Sequence, residues 1–147
     1  MIRVQEEDFD VSFEYEALKA SGADVGAICV FTGLVREFGD REDIRGLYLE
    51  HYPGMTEKAL EKIVDQAQSR WPLKSVRVIH RVGALRLTDQ IVLVGVASAH
   101  RDAAFAACQF IMDYLKVDAP FWKKELTQEG EHWVEQKETD RDRAKDW

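Results

Sequence analysis

The sequence predicts a single α+β domain, on three observations. The chain has 147 residues, about one domain on a scale of roughly 100 to 200 residues per domain. Hydrophobic residues make up 46% and charged residues 32%, a balance typical of chains that fold around a core. Segments with helical periodicity alternate with β-branched, strand-like runs, and no repeat, low-complexity stretch or linker separates them.

Taken in order, Asp10 is placed to cap a short helix over Val11 to Ala20, with Ser21-Gly22 as its stop signal. Val25 to Arg36 is rich in β-branched and aromatic residues and reads as a strand, with Gly26 and Gly33 as bulges or points of close backbone approach. Phe38 to Asp43 reads as a turn or loop. Ile44 to His51 alternates Leu47 and Leu49 against Tyr48 and Glu50, and is expected to pair back on the first strand. Pro53-Gly54 breaks it, and Thr56 to Trp71 carries Leu60, Ile63, Val64, Ala67 and Trp71 on one helical face. Ser75 to Val82 follows as a strand, Ala84 to Asp89 as a connection, and Ile91 to Ser98 as a largely buried strand.

Ala104, Cys108, Ile111, Met112 and Leu115 mark the inner face of a helix from Asp102 to Lys116, which Pro120 bars from continuing. Phe121 to Glu125 and Glu131 to Lys137 read as two short strands around a turn at Thr127 to Gly130. Thr139 to Trp147 reads as a charged, exposed tail.

Composition excludes several functions. With 27 acidic and 20 basic side chains the net charge is -7, a poor balance for a protein that neutralises many phosphates of a nucleic acid. Residues 1 to 24 hold seven of the acidic and two of the basic side chains, so most of the excess lies at the N-terminus and leaves room for a local anion pocket elsewhere. The longest apolar run, Ile91 to Ala99, is about half of the roughly 20 residues a spanning helix needs. The acidic start lacks the pattern of a secretory signal, so a cytoplasmic location is expected. Cys29 and Cys108 lie far apart within apolar patterns and read as buried small hydrophobes. His51, His80, His100 and His132 fall one per element, without ligand spacing. No phosphate-loop, dinucleotide, zinc-protease or serine-elbow motif is present.

Three clusters could carry chemistry. In Ser98 to Arg101 an apolar strand ends in His100-Arg101 where a helix begins, a place where unpaired backbone N–H groups and the helix dipole favour an anion. Simple capping by His100 with a solvated Arg101 fits the spacing equally well. In Lys116 to Lys123 (KVDAPFWK) two lysines flank a proline turn. Strand alternation sends Lys123 and Lys124 to opposite faces, one of them shared with Phe121. A lysine against apolar surface loses part of its preference for the ammonium form and becomes useful for proton transfer or nucleophilic work. The alternative is a helix-terminal lysine and a snorkelling surface lysine. In Thr32 to Arg36 an arginine follows a glycine kink and could grip a carboxylate or phosphate in two places.

Together the segments FTGLVR (Phe31 to Arg36), LEHYPGMTEKAL (Leu49 to Leu60), HRVGAL (His80 to Leu85), VGVASAHRDAAF (Val94 to Phe105), MDYLKVDAPFWKKE (Met112 to Glu125) and GEHWVE (Gly130 to Glu135) resemble the large, catalytic subunit family of molybdopterin synthase, in family order over nearly the whole chain. The resemblance implies an α/β hammerhead fold with an antiparallel sheet and an added small β-subdomain. It implies a homodimer within a heterotetramer, completed by a small ubiquitin-like sulfur-carrier subunit whose C-terminal glycine bears a thiocarboxylate. The implied reaction transfers that sulfur to a cyclic pyranopterin monophosphate, in two rounds, to build the dithiolene of molybdopterin; it needs no metal or organic cofactor.

Residue by residue, the resemblance makes Lys116 and Lys123 catalytic and substrate-binding. It puts Arg36, His100 and Arg101 at substrate and anion-binding positions, with Leu34, Val35, Lys124 and Glu125 flanking the site. Thr88 departs from the family's usual glycine, and the loop Glu37 to Arg45 is variable. Two other readings compete: a non-catalytic scaffold that binds a ubiquitin-like tail, and a small-ligand-binding homodimer.

Overall fold

The computed structural model describes residues 1–37, 45–127, 130–134 and 138–147. Strand β1 (Ile2–Gln5) and helix α1 (Val11–Lys19) precede strands β2 (Ala27–Leu34) and β3 (Gly46–His51). Helix α2 (Met55–Arg70), strands β4 (Leu73–Arg81), β5 (Gly83–Arg86) and β6 (Gln90–Ser98), and helix α3 (Arg101–Asp118) form the centre of the chain. Strands β7 (Phe121–Thr127) and β8 (Gly130–Val134) and helix α4 (Glu138–Lys145) close it. The strands make two four-stranded sheets, one ordered β1-β4-β6-β2 and the other β5-β3-β7-β8. This is the α+β architecture the sequence predicts.

The first sheet carries the main core. Val92, Val94 and Val96 of β6 face α2 and α3, where Leu60, Ile63, Phe110, Ile111 and Leu115 meet them. On the other side, Leu93 and Ile79 pack with Phe9, beneath α1. Having apolar surface on both faces makes β6 a continuous hydrophobic run instead of an alternating one.

Asp10 caps α1 by accepting from the Ser12 and Phe13 N–H groups at 2.9 and 3.3 Å. Glu14, 1% exposed, ties the helix to the sheet beneath it. Its carboxylate takes Arg3 of β1 on one oxygen and Arg77 of β4 on the other.

Two sequence expectations change. Ile44 to His51 was expected to pair with the preceding strand, but β2 pairs with β6, while β3 lies in the other sheet between β5 and β7. The alternation of Leu47 and Leu49 reports one buried face; it does not report which strand lies beside it. The C-terminal residues, expected to be an exposed tail, form α4 and a docking residue. Ala144 is buried, and the Trp147 indole N–H donates to Asp113 at 2.7 Å beside Trp71 and Phe110. The segment from Ala84 also holds β5, and Ile2–Gln5 forms a strand parallel to β4 that the sequence reading did not identify. The expected loop at Phe38 to Asp43, the variable loop Glu37 to Arg45 beyond its end residues, the tip of the Thr127 to Gly130 turn and the end of the strand to Lys137 lie outside the described residues.

Gly26, just before β2, and Gly33 within it behave as expected. A Cβ at Gly26 would press into the carbonyl oxygen of Ala99, and the register against β6 slips between Gly33 and Leu34. Gly83 does something different. At φ 85° it lets the chain leave β4 and enter β5 in the second sheet with a single residue, Val82, between the strands.

Removing the Glu14 carboxylate leaves Arg77, 18% exposed in its side chain, without its partner. Glu14→Ala should therefore lower unfolding stability by about 2 to 3 kcal/mol in urea titrations. Thr88 sits at φ 70°, where a β-branched side chain is strained. Thr88→Gly should raise stability by about 0.5 to 1 kcal/mol in the same assay, and Thr88→Ala should give less than half of that.

Candidate functional site

The cavity of 630 Å³ opens where the two sheets and the C-terminal end of α3 converge. Each wall follows from local structure. Pro120 ends α3 just past Lys116, and Ala119 turns to φ -75° and ψ 130°, so the chain reverses directly into β7. Alternation along β7 then turns Phe121, Lys123 and Glu125 to the cavity. The register slip after Gly33 carries β2 into Leu34, Val35 and Arg36 on the opposite wall. Val35 is held at both backbone groups, donating to the Asp89 carbonyl at 2.9 Å and accepting from the Thr88 N–H at 2.7 Å. The turn with the strained Thr88 thus fixes the residue that precedes Arg36.

Of the residues expected from the sequence, the cavity brings together Leu34, Val35, Arg36, Lys116, Lys123 and Glu125. Lys116, Lys123 and the exposed Arg36 supply three positive charges, and Glu125, only 4% exposed, supplies a carboxylate. Such a cavity can hold an anion and stabilise negative charge that develops during a reaction.

Lys124 is not in this group. It lies on the outer face of the same sheet, 4.4 Å from the Trp133 ring centroid and within 3.8 Å of Glu50 and 3.7 Å of Glu131. The period of two along a strand separates it from its neighbours Lys123 and Glu125.

His100 and Arg101 are also elsewhere, beside Gly26, Ala99 and Asp102 in a second, shallower depression at the N-terminus of α3. His100 occupies the N-cap position but makes no capping hydrogen bond. Arg101 and Lys116 lie fifteen helical steps apart on α3, about 22 Å along the axis. Within one chain the two groups cannot grip the same small molecule.

Two ionisable residues of the cavity lining were missed. His80, at the end of β4, stacks on Phe121 with ring centroids 3.8 Å apart and planes 20° from parallel. Burial holds its imidazole neutral down to about 4, and the charges of Lys116, Lys123 and His51 act in the same direction. The sequence signal was present in the HRVGAL segment, but a histidine ending an apolar strand also reads as core. Asp140, on α4, lines the cavity as well, and no sequence pattern distinguished it within a charged segment.

Cys29 and Cys108 are both free thiols. The Cys108 thiol is buried and donates weakly to the Val94 carbonyl at 3.6 Å, as expected for a small core residue.

Comparison with known proteins gives this geometry a context. The family model described as MoaE protein matches residues 4–118. The molybdopterin synthase catalytic subunit of Vibrio cholerae is 59% identical over 146 residues, covering 99% of this chain and 97% of that protein. Among solved structures, the molybdopterin biosynthesis MoaE protein from Burkholderia ambifaria superposes with a TM-score of 0.86 at 49% identity, covering 100% of this chain and 97% of the other. The molybdopterin synthase from Staphylococcus aureus gives 0.82 at 32% identity, covering 90% and 95%. With likeness in both sequence and fold over nearly its full length, this chain belongs to the MoaE family, whose relatives include molybdopterin synthase catalytic subunits.

Proposed function

We propose that this chain is the catalytic subunit of a molybdopterin synthase. It transfers sulfur from the C-terminal thiocarboxylate of a small ubiquitin-like subunit to cyclic pyranopterin monophosphate and so forms the dithiolene used in molybdenum cofactor biosynthesis. The observation that carries this reading is the pairing of Lys116 and Lys123 across the Pro120 reversal, on two walls of one cavity that also receives Arg36. Membership of a family with members named catalytic subunits supports it and implies a second kind of subunit. No helix among the described residues is long and apolar enough to cross a membrane; a cytoplasmic site of action belongs to the same reading.

In this mechanism Arg36 holds the phosphate or the incoming carboxyl terminus. The thiocarboxylate sulfur bonds to a side-chain carbon of the pterin as a carbon–oxygen bond to that carbon breaks, giving a thioester. Water then adds to the acyl carbon, and the ammonium groups of Lys116 and Lys123 stabilise the oxyanion. Its collapse breaks the acyl carbon–sulfur bond, leaving the sulfur on the pterin and a carboxylate on the small subunit. The two lysines also supply and recover protons as the cyclic phosphate opens and each sulfur is transferred. Lysine suits both tasks because its charge is mobile and its proton becomes easier to release as its surroundings become less aqueous.

His100 and Arg101 join the site from a second copy of the chain. The roughly 22 Å of α3 between Arg101 and Lys116 leaves them no role at their own chain's lysines, and in a two-fold dimer the same patch serves each copy in turn.

The direct test is reconstitution with thiocarboxylated small subunit and cyclic pyranopterin monophosphate, scored by mass spectrometry for one-sulfur and two-sulfur products. Lys116→Ala should reduce conversion by about 10²-fold or more while the chain stays folded; full conversion would remove Lys116 from the chemistry. A scaffold that only holds the partner tail predicts no new pterin mass in any variant. Sharing of the site between copies is tested by mixing Arg101→Ala and Lys116→Ala chains. Random pairing should restore about a quarter of wild-type activity, since one site in each mixed dimer keeps both residues; no restoration would overturn the sharing of the site between copies.

A further inference from the structure

The site reading leaves His80 without a task, yet its ring is buried in the cavity wall and held from two directions. One face of its ring is covered by Phe121. Its Nδ1 lies 2.8 Å from the Arg81 carbonyl oxygen. A carbonyl only accepts, so Nδ1 carries the proton in every charge state of the ring, and in the neutral ring Nε2 carries a lone pair. Nε2 has no hydrogen-bond partner among the described residues. The buried side-chain atom without a partner among those residues belongs to His132, so Nε2 of His80 is not sealed in the core. His80 is itself part of the lining, with Lys116 and Lys123.

We propose that His80 is a positioning residue for the lysine pair: its ring, clamped between Phe121 and the Arg81 carbonyl, presents Nε2 as a hydrogen-bond acceptor to a lysine ammonium in the cavity. This rests on the sulfur-transfer reading of the same site. A neutral acceptor suits the position better than a carboxylate. It orients an ammonium without cancelling its charge, leaving that charge for the substrate anion.

The charged and titratable groups around the ring favour this state. Lys116 comes from α3, Lys123 from β7 and His51 from β3, and all three oppose a second positive charge on His80. Burial acts more strongly in the same direction, so the ring remains neutral down to about 4. Arg36 adds another positive charge to the lining, while Glu125 and Asp140 supply negative ones.

The sign of the effect follows. An acceptor bonded to an ammonium stabilises the protonated form and holds the lysine's ionisation high. Its loss lets the lysine release its proton at lower pH, so activity that needs the ammonium falls earlier on the alkaline side.

The test uses the reconstituted enzyme across pH with three chains: wild type, His80→Phe and His80→Gln. His80→Phe keeps an aromatic ring against Phe121 but offers no acceptor. His80→Gln places an amide oxygen near the Nε2 position. His80→Phe should lose about tenfold in turnover near neutral pH, and the alkaline limb of its profile should move down by about one pH unit. His80→Gln should recover most of both. A pH profile in His80→Phe that superposes on wild type overturns the proposal.

Two further measurements do not depend on turnover, and the first of them needs no variant. Nitrogen NMR of the wild-type ring at pH 7 should show a neutral imidazole protonated on Nδ1, and a charged ring or the other tautomer overturns the proposal. Carbon NMR titration of the lysine side chains should show the ionisation of Lys116 or Lys123 lowered in His80→Phe, and unchanged titration of both overturns it. Inactive wild type with the expected NMR results overturns the sulfur-transfer reading while the hydrogen bond stands.

Discussion

The structure depends on one seam. Strand β4 runs through the middle of the first sheet and passes Val82, and at Gly83 the backbone turns into a conformation that side chains resist. Beyond it the same chain is β5 at the edge of the second sheet. Val82, Leu85, Leu47, Leu49 and Val35 fill the angle between the sheets with apolar side chains, and the His80–Phe121 stack joins β4 to β7 across it. The cavity opens beside this apolar cluster and shares Val35, Leu47 and Leu49 with it. Hydrophobic packing on one side of the seam therefore makes a polar cleft on the other.

That origin accounts for the electrical character of the cleft. The cations come from separate elements, Arg36 after β2, Lys116 on α3 and Lys123 on β7. Like charges kept close cost free energy, and the fold supplies it from the core below, where Leu115 of the same helix is buried among β-sheet valines. Two carboxylates, Glu125 and Asp140, temper the repulsion among the three cations without cancelling it. The cleft is thus prepared for an anion before one arrives, which removes part of the reorganisation a flexible site would need.

Much of this was legible in the sequence because the signals were local. The caps and breakers at Asp10, Pro53-Gly54 and Pro120 marked element ends, and the periodicity of α2 and α3 marked their buried faces. The two lysines around Pro120 and the arginine after Gly33 stood out as chemistry because each sat at an element boundary. What was not legible was relational. Alternation in Ile44 to His51 could not say which strand would lie beside it. His80 looked like core because a stacked, backbone-bonded histidine is core on one side and cavity on the other. The distance along α3 was readable, since helical rise is fixed, yet motif reading alone grouped His100 and Arg101 with residues at the far end of a long rod. The C-terminal residues were misread for a different reason. Their composition is that of a solvated segment, and only Trp147, beyond the helix proper, supplies the apolar anchor that holds α4 down.

That anchor sorts the four tryptophans into two optical populations. Trp71 and Trp147 meet edge to face at 5.7 Å beside Phe110, while Trp122 and Trp133 are 47% and 58% exposed. The first pair shares excitation and emits from an apolar setting whose integrity requires α4 to be seated. The second emits from the solvated outer face of the other sheet. The wavelength of the intrinsic fluorescence thus separates events at the C-terminal helix from events on the exterior of the second sheet, without any label attached to the chain.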